Sequence, residues 1–340
     1  MKLTLKQTIR SVALTALVLA MLSPASAFAQ LAGDNILGDS GVNTGTQAAP
    51  GFYIGTLYYR YRTDTIRKGD GTKLVIDPSQ SGSATIPYAA PIFMYVSELK
   101  ILGGNYGAMI GPGIVTGGTI EAPGFGFGRN TGSGMSDTYV APFMLGWHLP
   151  RADFNTAFAF FAPTGRYTPG ASDNTGRGMW AYETSVGTTV YLDPARAWTA
   201  ATSAYLETHG KKSGTTVSLG DEFALGGVRV GNILTLEGGV ARMFAQGAAH
   251  LGVAYYAQWK LTADDFGVPV TAPSGTTLSR DRVYGFGPDV AVPIAVKSTL
   301  IAFVNLRYFW ETGAEAKTEG QSLVISVTFP VPSIKIPTGK

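Results

Sequence analysis

The chain contains no cysteine. That removes disulfides, thiolate metal sites, cysteine nucleophiles and a lipid-anchored N-terminal cysteine together. Charge is scarce: 14% of the 340 residues are Asp, Glu, Lys or Arg, against about a quarter in soluble domains. Histidine occurs only three times. Beyond the first 29 residues no run reaches the roughly 18 apolar residues of a spanning helix. A secreted chain of this size without disulfides must be held by a large core or by a closed sheet. What it has instead is 44 glycines and 11% aromatic residues. This composition fits a bacterial outer-membrane β-barrel; a soluble β-helix or sandwich is the plainer alternative.

The first 29 residues read as a secretory signal peptide. Lys2, Lys6 and Arg10 form a basic start, Val12 to Leu22 is an uncharged apolar run, and Ala27-Phe28-Ala29 fits a small-x-small cleavage site. The segment holds three of the 26 basic residues and none of the 23 acidic ones, so the mature chain is neutral. It carries no basic stripe for nucleic acid, and none is expected as a partner. Residues 30–50 are polar and glycine-rich without a period, either a flexible leader or a plug for a lumen. A plug at the periplasmic mouth is the expectation.

From Gly51 the sequence alternates in segments of barrel-strand length. The expected strands are 51–62, 87–98, 105–116, 138–149, 154–164, 178–192, 197–208, 231–243, 249–261, 282–293, 298–311 and 321–332. That gives an all-β, antiparallel, up-and-down transmembrane barrel of about twelve strands, with fourteen as the alternative. The barrel spans 51–332 and a tail spans 333–340. The links alternate in length. Residues 63–86, 117–137, 165–177, 209–230, 262–281 and 312–320 are long and polar, and those between them are short. Long outer loops opposite short periplasmic turns is the asymmetry of such barrels, and a sandwich has no reason to produce it.

Successive strand residues point to opposite sides. Over 178–192, Trp180, Tyr182, Val186, Val190 and Leu192 share one face, while Glu183, Ser185, Gly187 and Thr189 share the other. Similar splits in the other strands place an apolar face toward lipid. An Arg or Lys facing mid-bilayer costs about 2–4 kcal/mol. Arg60, Glu183, Glu207, Glu237, Gln258, Lys260, Asp289, Asn305 and Arg307 are therefore expected in the lumen, pairing across the interior or forming a polar constriction. Trp180, Tyr182, Trp198, Tyr255, Trp259, Tyr308 and Trp310 are the candidate aromatic girdle. Pro142, Pro163 and Pro288 mark candidate kinks in the wall.

Catalytic signals are thin. Glu207-x-His209 puts two side chains on one strand face together with Ser203, the makings of a Ser–His–carboxylate group. No nucleophile-elbow sequence supports it, and no enzyme activity is expected. His148, His209 and His250 lack zinc spacing, so neither metal nor cofactor is expected. The stretches 111–119 and 124–129 do not complete a phosphate loop, and 172–176 and 70–72 read as turns rather than calcium sites. The loop between Phe160 and Val186 reads as an extracellular hairpin in which Arg166 and Arg177 either solvate the loop or help guard a pore entrance, with solvation the expectation.

Several segments resemble one family: "GMSDTYVAPFMLGWHLP", "FFAPTGRY" followed by "DNTGRGMWAYETSVGTTVYLD", "SAYLETHGKK", and "APGFYIGTLYYRYRTDTI" near the mature start. They are similar to the phenol meta-pathway (MetA-pathway of phenol degradation) family, which includes SphA-like outer-membrane transporters, over residues 49–332. The resemblance implies a barrel transporter for hydrophobic or aromatic carbon sources. The expected partners are the outer-membrane bilayer, the outer-membrane assembly machinery and a small hydrophobic or aromatic solute. Passage would be passive, through a polar lumen or a lateral opening. A structural or adhesive barrel with a filled lumen and a barrel acyl hydrolase are the alternatives. Phe329 is followed by "PVPSIKIPTGK" rather than closing the chain, which leaves the assembly signal internal or the last strand misplaced.

Overall fold

The structure, a computed structural model, describes residues 32–74, 82–122, 127–168, 171, 173–213, 227–265, 280–296, 299–331 and 334–335. The signal segment lies outside the described residues, as do the tail beyond 335 and the stretch 124–126 of the glycine-rich run. Among the described residues fifteen strands form one antiparallel sheet. Twelve of them close a barrel: β1 (Gly51–Ile66), β2 (Ser83–Ile101), β3 (Gly104–Thr116), β6 (Ser133–His148), β7 (Ala152–Ala162), β8 (Ala181–Tyr191), β9 (Trp198–His209), β10 (Ile233–Phe244), β11 (Ala249–Lys260), β12 (Arg282–Val296), β13 (Thr299–Glu315) and β14 (Thr318–Val331). Closure comes from β1, which pairs with β2 on one side and β14 on the other, from Phe52↔Val331 to Ile66↔Thr318. With no free edge, every strand of the wall has two neighbours, as the bilayer core demands. The last strand is therefore where the sequence places it, and Phe329 is internal, opposite Ile54.

The three remaining strands are accessories. β4 (Thr119–Ala122) and β5 (Phe127–Asn130) form a hairpin that extends β2 in an outer loop, and β15 (Ile334–Lys335) pairs with Thr299 and Leu300 at the inner end of β13. One outer link differs from expectation. Residues 312–320 are not a long loop: β13 and β14 continue upward and turn at Ala316 and Lys317, with Ala316 at φ 51°. On the inner side the turns are short, as at Leu102 and Gly103, both with positive φ (52° and 83°), the geometry of a tight two-residue hairpin. In the 192–197 turn the Asp193 carboxylate accepts from the backbone N–H of Ala197 (3.1 Å) and Trp198 (2.7 Å), and these bonds hold its pKa below the usual range.

The outer surface is an apolar belt. Phe93, Phe143, Phe158, Val186, Val240, Val253, Phe286 and Leu306 are all exposed, far more than a soluble protein leaves to water. Among the described residues no helix is long and apolar enough to cross a membrane. Of the three candidate kinks only Pro142 disturbs the wall, where register slips between Val140 and Phe143. Pro163 lies just past the end of β7, and Pro288 pairs with Val253 without a slip. A further slip falls between Pro112 and Ile114, beside a proline that the sequence does not single out.

Candidate functional site

Most expected girdle residues stand on the outer face near strand ends. Trp180 packs on Phe160 at 5.8 Å, Tyr182 is exposed, Trp259 meets Tyr284 at 5.7 Å, and Tyr308 meets Trp310 at 5.0 Å. Trp198 lies at the inner end of β9 beneath the Arg242 guanidinium, 5.5 Å from its ring centre. Tyr255 is a correction. It faces outward but stands midway along β11, opposite Gly238, with its hydroxyl 2.9 Å from Thr202 Oγ1.

Arg60 is a second correction. It does not face the lumen. Tyr53, Leu57 and Thr63 are buried on the inner face of β1, and Arg60 has the opposite parity, exposed with Phe52, Ile54 and Arg62. It lies in a cross-strand row with Leu323 and Tyr308, within the aromatic zone near the outer rim. There a long cationic side chain can reach headgroups while its stem stays apolar.

The other eight expected lumen residues are buried: Glu183, Glu207, Glu237, Gln258, Lys260, Asp289, Asn305 and Arg307. Four of them converge on the N-terminal segment. Residues 32–48 lie inside the barrel, with Val42 fully buried on a single 3-10 turn (Gly41–Asn43), and Ala49 and Pro50 are exposed where the chain enters β1. This backbone forms no sheet, so its N–H groups need acceptors, and the strands have spent their own carbonyls on each other. Carboxylates supply them. Glu207 accepts from Asp34 (2.8 Å) and Asn35 (3.0 Å), Glu237 from Gly38 (2.7 Å) and Ser40 (3.3 Å), and Asp289 from Val42 (2.9 Å). Arg307 binds the Asp39 carbonyl and Asp289 (3.1 Å), while Asn305 and His250 bind Asp289 at 2.9 Å each. Hydroxyls and amides complete the grip: Thr44 Oγ1 donates to Ser203 (2.8 Å), Asn155 to the Thr44 carbonyl (2.7 Å) and Thr46 to Asp153 (3.0 Å).

The segment runs the length of the lumen rather than closing only its periplasmic end. Asp34 sits beside Glu207 near the outer end of β9, and Thr46 beside Asp153 at the inner end of β7. Glycines let it lie this close. A Cβ at Gly38 (φ +82°) would run into the Phe309 ring, whose nearest atom lies 2.3 Å away, and one at Gly45 would meet the Thr188 backbone carbon at 2.0 Å.

Arg177 also departs from expectation. Its Nε pairs with Asp34 Oδ1 (2.8 Å), its Nη1 donates to the Ala32 carbonyl (3.1 Å), and its own N–H donates to Asp137 (2.7 Å). Instead of solvating the loop, this arginine fastens it to the segment in the lumen. Arg166 does behave as expected, in an exposed pair with Asp173 at 3.3 Å. Asp137 receives both the Gly165 and the Arg177 N–H, which folds the two Thr-Gly steps of the loop against each other. Lys212 donates to the Arg177 carbonyl (2.7 Å); burial and then the nearby guanidinium pull its pKa down to about 8. Below that pH it is an ammonium, above it an amine. Its acylation by a small amine reagent is expected to show a midpoint near pH 8, and a midpoint near 10.5, its ordinary value, would contradict the burial.

Lys260 pairs with Asp264 (3.1 Å) and Asp281 (3.0 Å), and Gln258 donates to Thr235 (3.1 Å), so both belong to the outer mouth and not to the segment's grip. The Ser203 group does not assemble. His209 binds Glu207, but Ser203 bonds to Thr44 and lies six residues away along β9, about 20 Å at the usual strand rise. Asp34, Glu207 and His209 bring ligand atoms within 4.8 Å of one another, a grouping that could hold a metal, with Arg177 already supplying positive charge to Asp34.

No curated protein matches the chain's sequence. Among solved structures it is similar to the COG4313 outer membrane channel from Pseudomonas putida F1, with a TM-score of 0.68 at 13% identity over 87% of this chain and 99% of that one. Looser likenesses link it to the beta domain of the Bordetella autotransporter Brka (TM-score 0.45, 12% identity, 83% and 100% coverage) and the Ralstonia pickettii toluene transporter TbuX (0.37, 12%, 85% and 92%). The first of these makes the fold that of an outer-membrane barrel. The family model for the MetA-pathway of phenol degradation matches residues 63–327, and the chain belongs to that family.

Proposed function

We propose that the protein is an outer-membrane channel for passive uptake of small hydrophobic or aromatic compounds, with residues 32–50 as a displaceable stopper. One observation carries this reading. The segment in the lumen is held by side chains, with no strand pairing to the wall, so it can leave without opening the barrel. A purely structural barrel has no need of a separable filling and could close its lumen with its own side chains. The family's link to phenol degradation supports an aromatic cargo, and the wet outer loops would be the point of capture.

The filled lumen also suits the second reading, a structural or adhesive barrel. Proteoliposomes separate the two. Loaded with the full-length protein, they are expected to admit phenol and toluene faster than protein-free liposomes and to exclude disaccharides. Entry of no solute from such a panel would sink the channel reading and leave the structural one.

A further inference from the structure

At the outer end of the lumen, the N-terminal segment meets β9 in a group of side chains of metal-ligand type. Glu207 and His209 are two residues apart on β9, so they share its inner face. Asp34 reaches them from the segment, where its own N–H donates to Glu207 Oε1 (2.8 Å). A carboxylate oxygen from each acid and a ring nitrogen of His209 all lie within 4.8 Å of one another. The side chains are deeply buried: 6% exposed for Asp34, 2% for Glu207 and 0% for His209.

Two donor atoms of this group are unspent. Arg177 Nε pairs with Asp34 Oδ1 (2.8 Å), and His209 Nε2 contacts Glu207 Oε1. Asp34 Oδ2 and His209 Nδ1 are buried without a hydrogen-bond partner among the described residues. A buried carboxylate oxygen and a buried imidazole nitrogen are costly to leave unsatisfied, and both can give an electron pair to a cation. The surrounding charge agrees. Glu183 stands directly opposite Glu207 on β8, and Asp137 accepts the Arg177 N–H. Against these four carboxylates stand Arg177 and Lys212, which donates to the Arg177 carbonyl. A divalent cation cancels the formal excess of negative charge.

We propose that Asp34, Glu207 and His209 bind a divalent transition-metal ion of the zinc class, which ties the N-terminal segment to β9. The imidazole disfavours Ca²⁺ and Mg²⁺, which take oxygen donors, and a chain without cysteine offers no thiolate to a softer ion. An ion about 2.0–2.2 Å from each donor draws them closer. Asp34, on backbone paired to no strand, is free to move toward it. The ring binds as neutral imidazole, one nitrogen on the ion and its hydrogen on the other. Arg177 stays on Asp34 Oδ1 and orients that carboxylate from outside. No zinc spacing is visible in the sequence because Asp34 and Glu207 are 173 positions apart. The binding itself is independent of the channel reading. Its consequence rests on that reading: an ion bridging segment and wall holds the stopper in place.

The test is equilibrium binding of zinc to the untagged full-length barrel in detergent, stripped with EDTA and read by competition with a chromophoric chelator. Wild type is expected to bind one equivalent. His209→Ala and Asp34→Ala should each weaken it by roughly tenfold or more. His148→Ala, at the exposed inner end of β6, should leave it unchanged. Asp34 belongs to no strand, so Asp34→Ala tests the site even where His209→Ala fails to fold, and heat-modifiable mobility on a gel checks both. No stoichiometric binding by wild type, or binding undiminished in a folded variant of either ligand, overturns the site. Toluene entry into wild-type proteoliposomes is measured with and without zinc, and zinc should slow it. Entry that zinc leaves unchanged overturns the tie. No entry under either condition defeats the channel reading, while one equivalent of zinc lost in Asp34→Ala still establishes the site.

Discussion

Deleting residues 32–50, with the signal segment retained, should convert the protein into an open pore. A twelve-stranded barrel is wider than the eight-stranded kind that side chains alone can fill, so a lumen emptied of its segment holds continuous water. Single-channel conductance in a planar bilayer should rise by roughly an order of magnitude over the full-length protein. The wall itself should survive, because none of the deleted residues belongs to a strand and closure lies in the pairing of β1 with β14. The deletion does leave Glu207, Glu237 and Asp289 without their N–H donors. Water entering the pore can solvate them, so the cost falls well short of that of a dry buried charge. Unchanged conductance would show that the wall side chains, and not this segment, close the channel.

The barrel is legible in the sequence because lipid outside and polar groups inside impose a period of two on every strand that crosses. Where that contrast fades, the pattern fades with it. Above the apolar belt β13 and β14 no longer alternate between apolar and polar residues, and the polar stretch 312–320 reads as a loop although it is a continued hairpin. Arg60 misleads because the inner face of β1 is aromatic at Tyr59 and Tyr61, so charge alone does not say which parity faces the lumen. Tyr255 groups with the rims by residue type, while only the strand bounds put it mid-wall.

The lumen is half legible. Parity finds eight inward polar residues, but not that four of them bind the N-terminal segment. Glu237 and Gly38 are 199 positions apart, and Asp289 and Val42 are 247 apart. A segment without a period carries no local sign of such partners. The one available signal is its glycine spacing, Gly33, Gly38, Gly41 and Gly45, where a backbone must approach something closely. Asp153, Asn155 and Tyr205 also reach the segment from the inner face. Asp153 sits at a strand end and the other two carry no charge, so the cost of a charge in lipid does not mark them.

Gly45→Ala should loosen the segment from a single added methyl. The new Cβ would lie 2.0 Å from the Thr188 carbonyl carbon and 2.4 Å from its oxygen, and no rotamer choice can move a Cβ. Thr188 cannot yield either, because β8 is paired on both sides, with Phe154 and with Thr202. The segment must therefore move, and the bonds nearest Gly45 go with it: Thr44 to Ser203, Asn155 to Thr44 and Thr46 to Asp153. At about 0.5–1.5 kcal/mol each, their loss comes to a few kcal/mol, enough to shift a bound segment toward a released one by roughly ten- to a thousandfold. The carboxylate contacts farther out, at Asp34 and Gly38, remain to resist full release. Conductance should then fall between wild type and the deletion, with frequent closures, and a protease offered from the periplasmic side should cut near residues 44–50. Wild-type conductance together with an uncut segment would mean that the wall accommodates the methyl, and that the close approach at Gly45 does not hold the stopper in place.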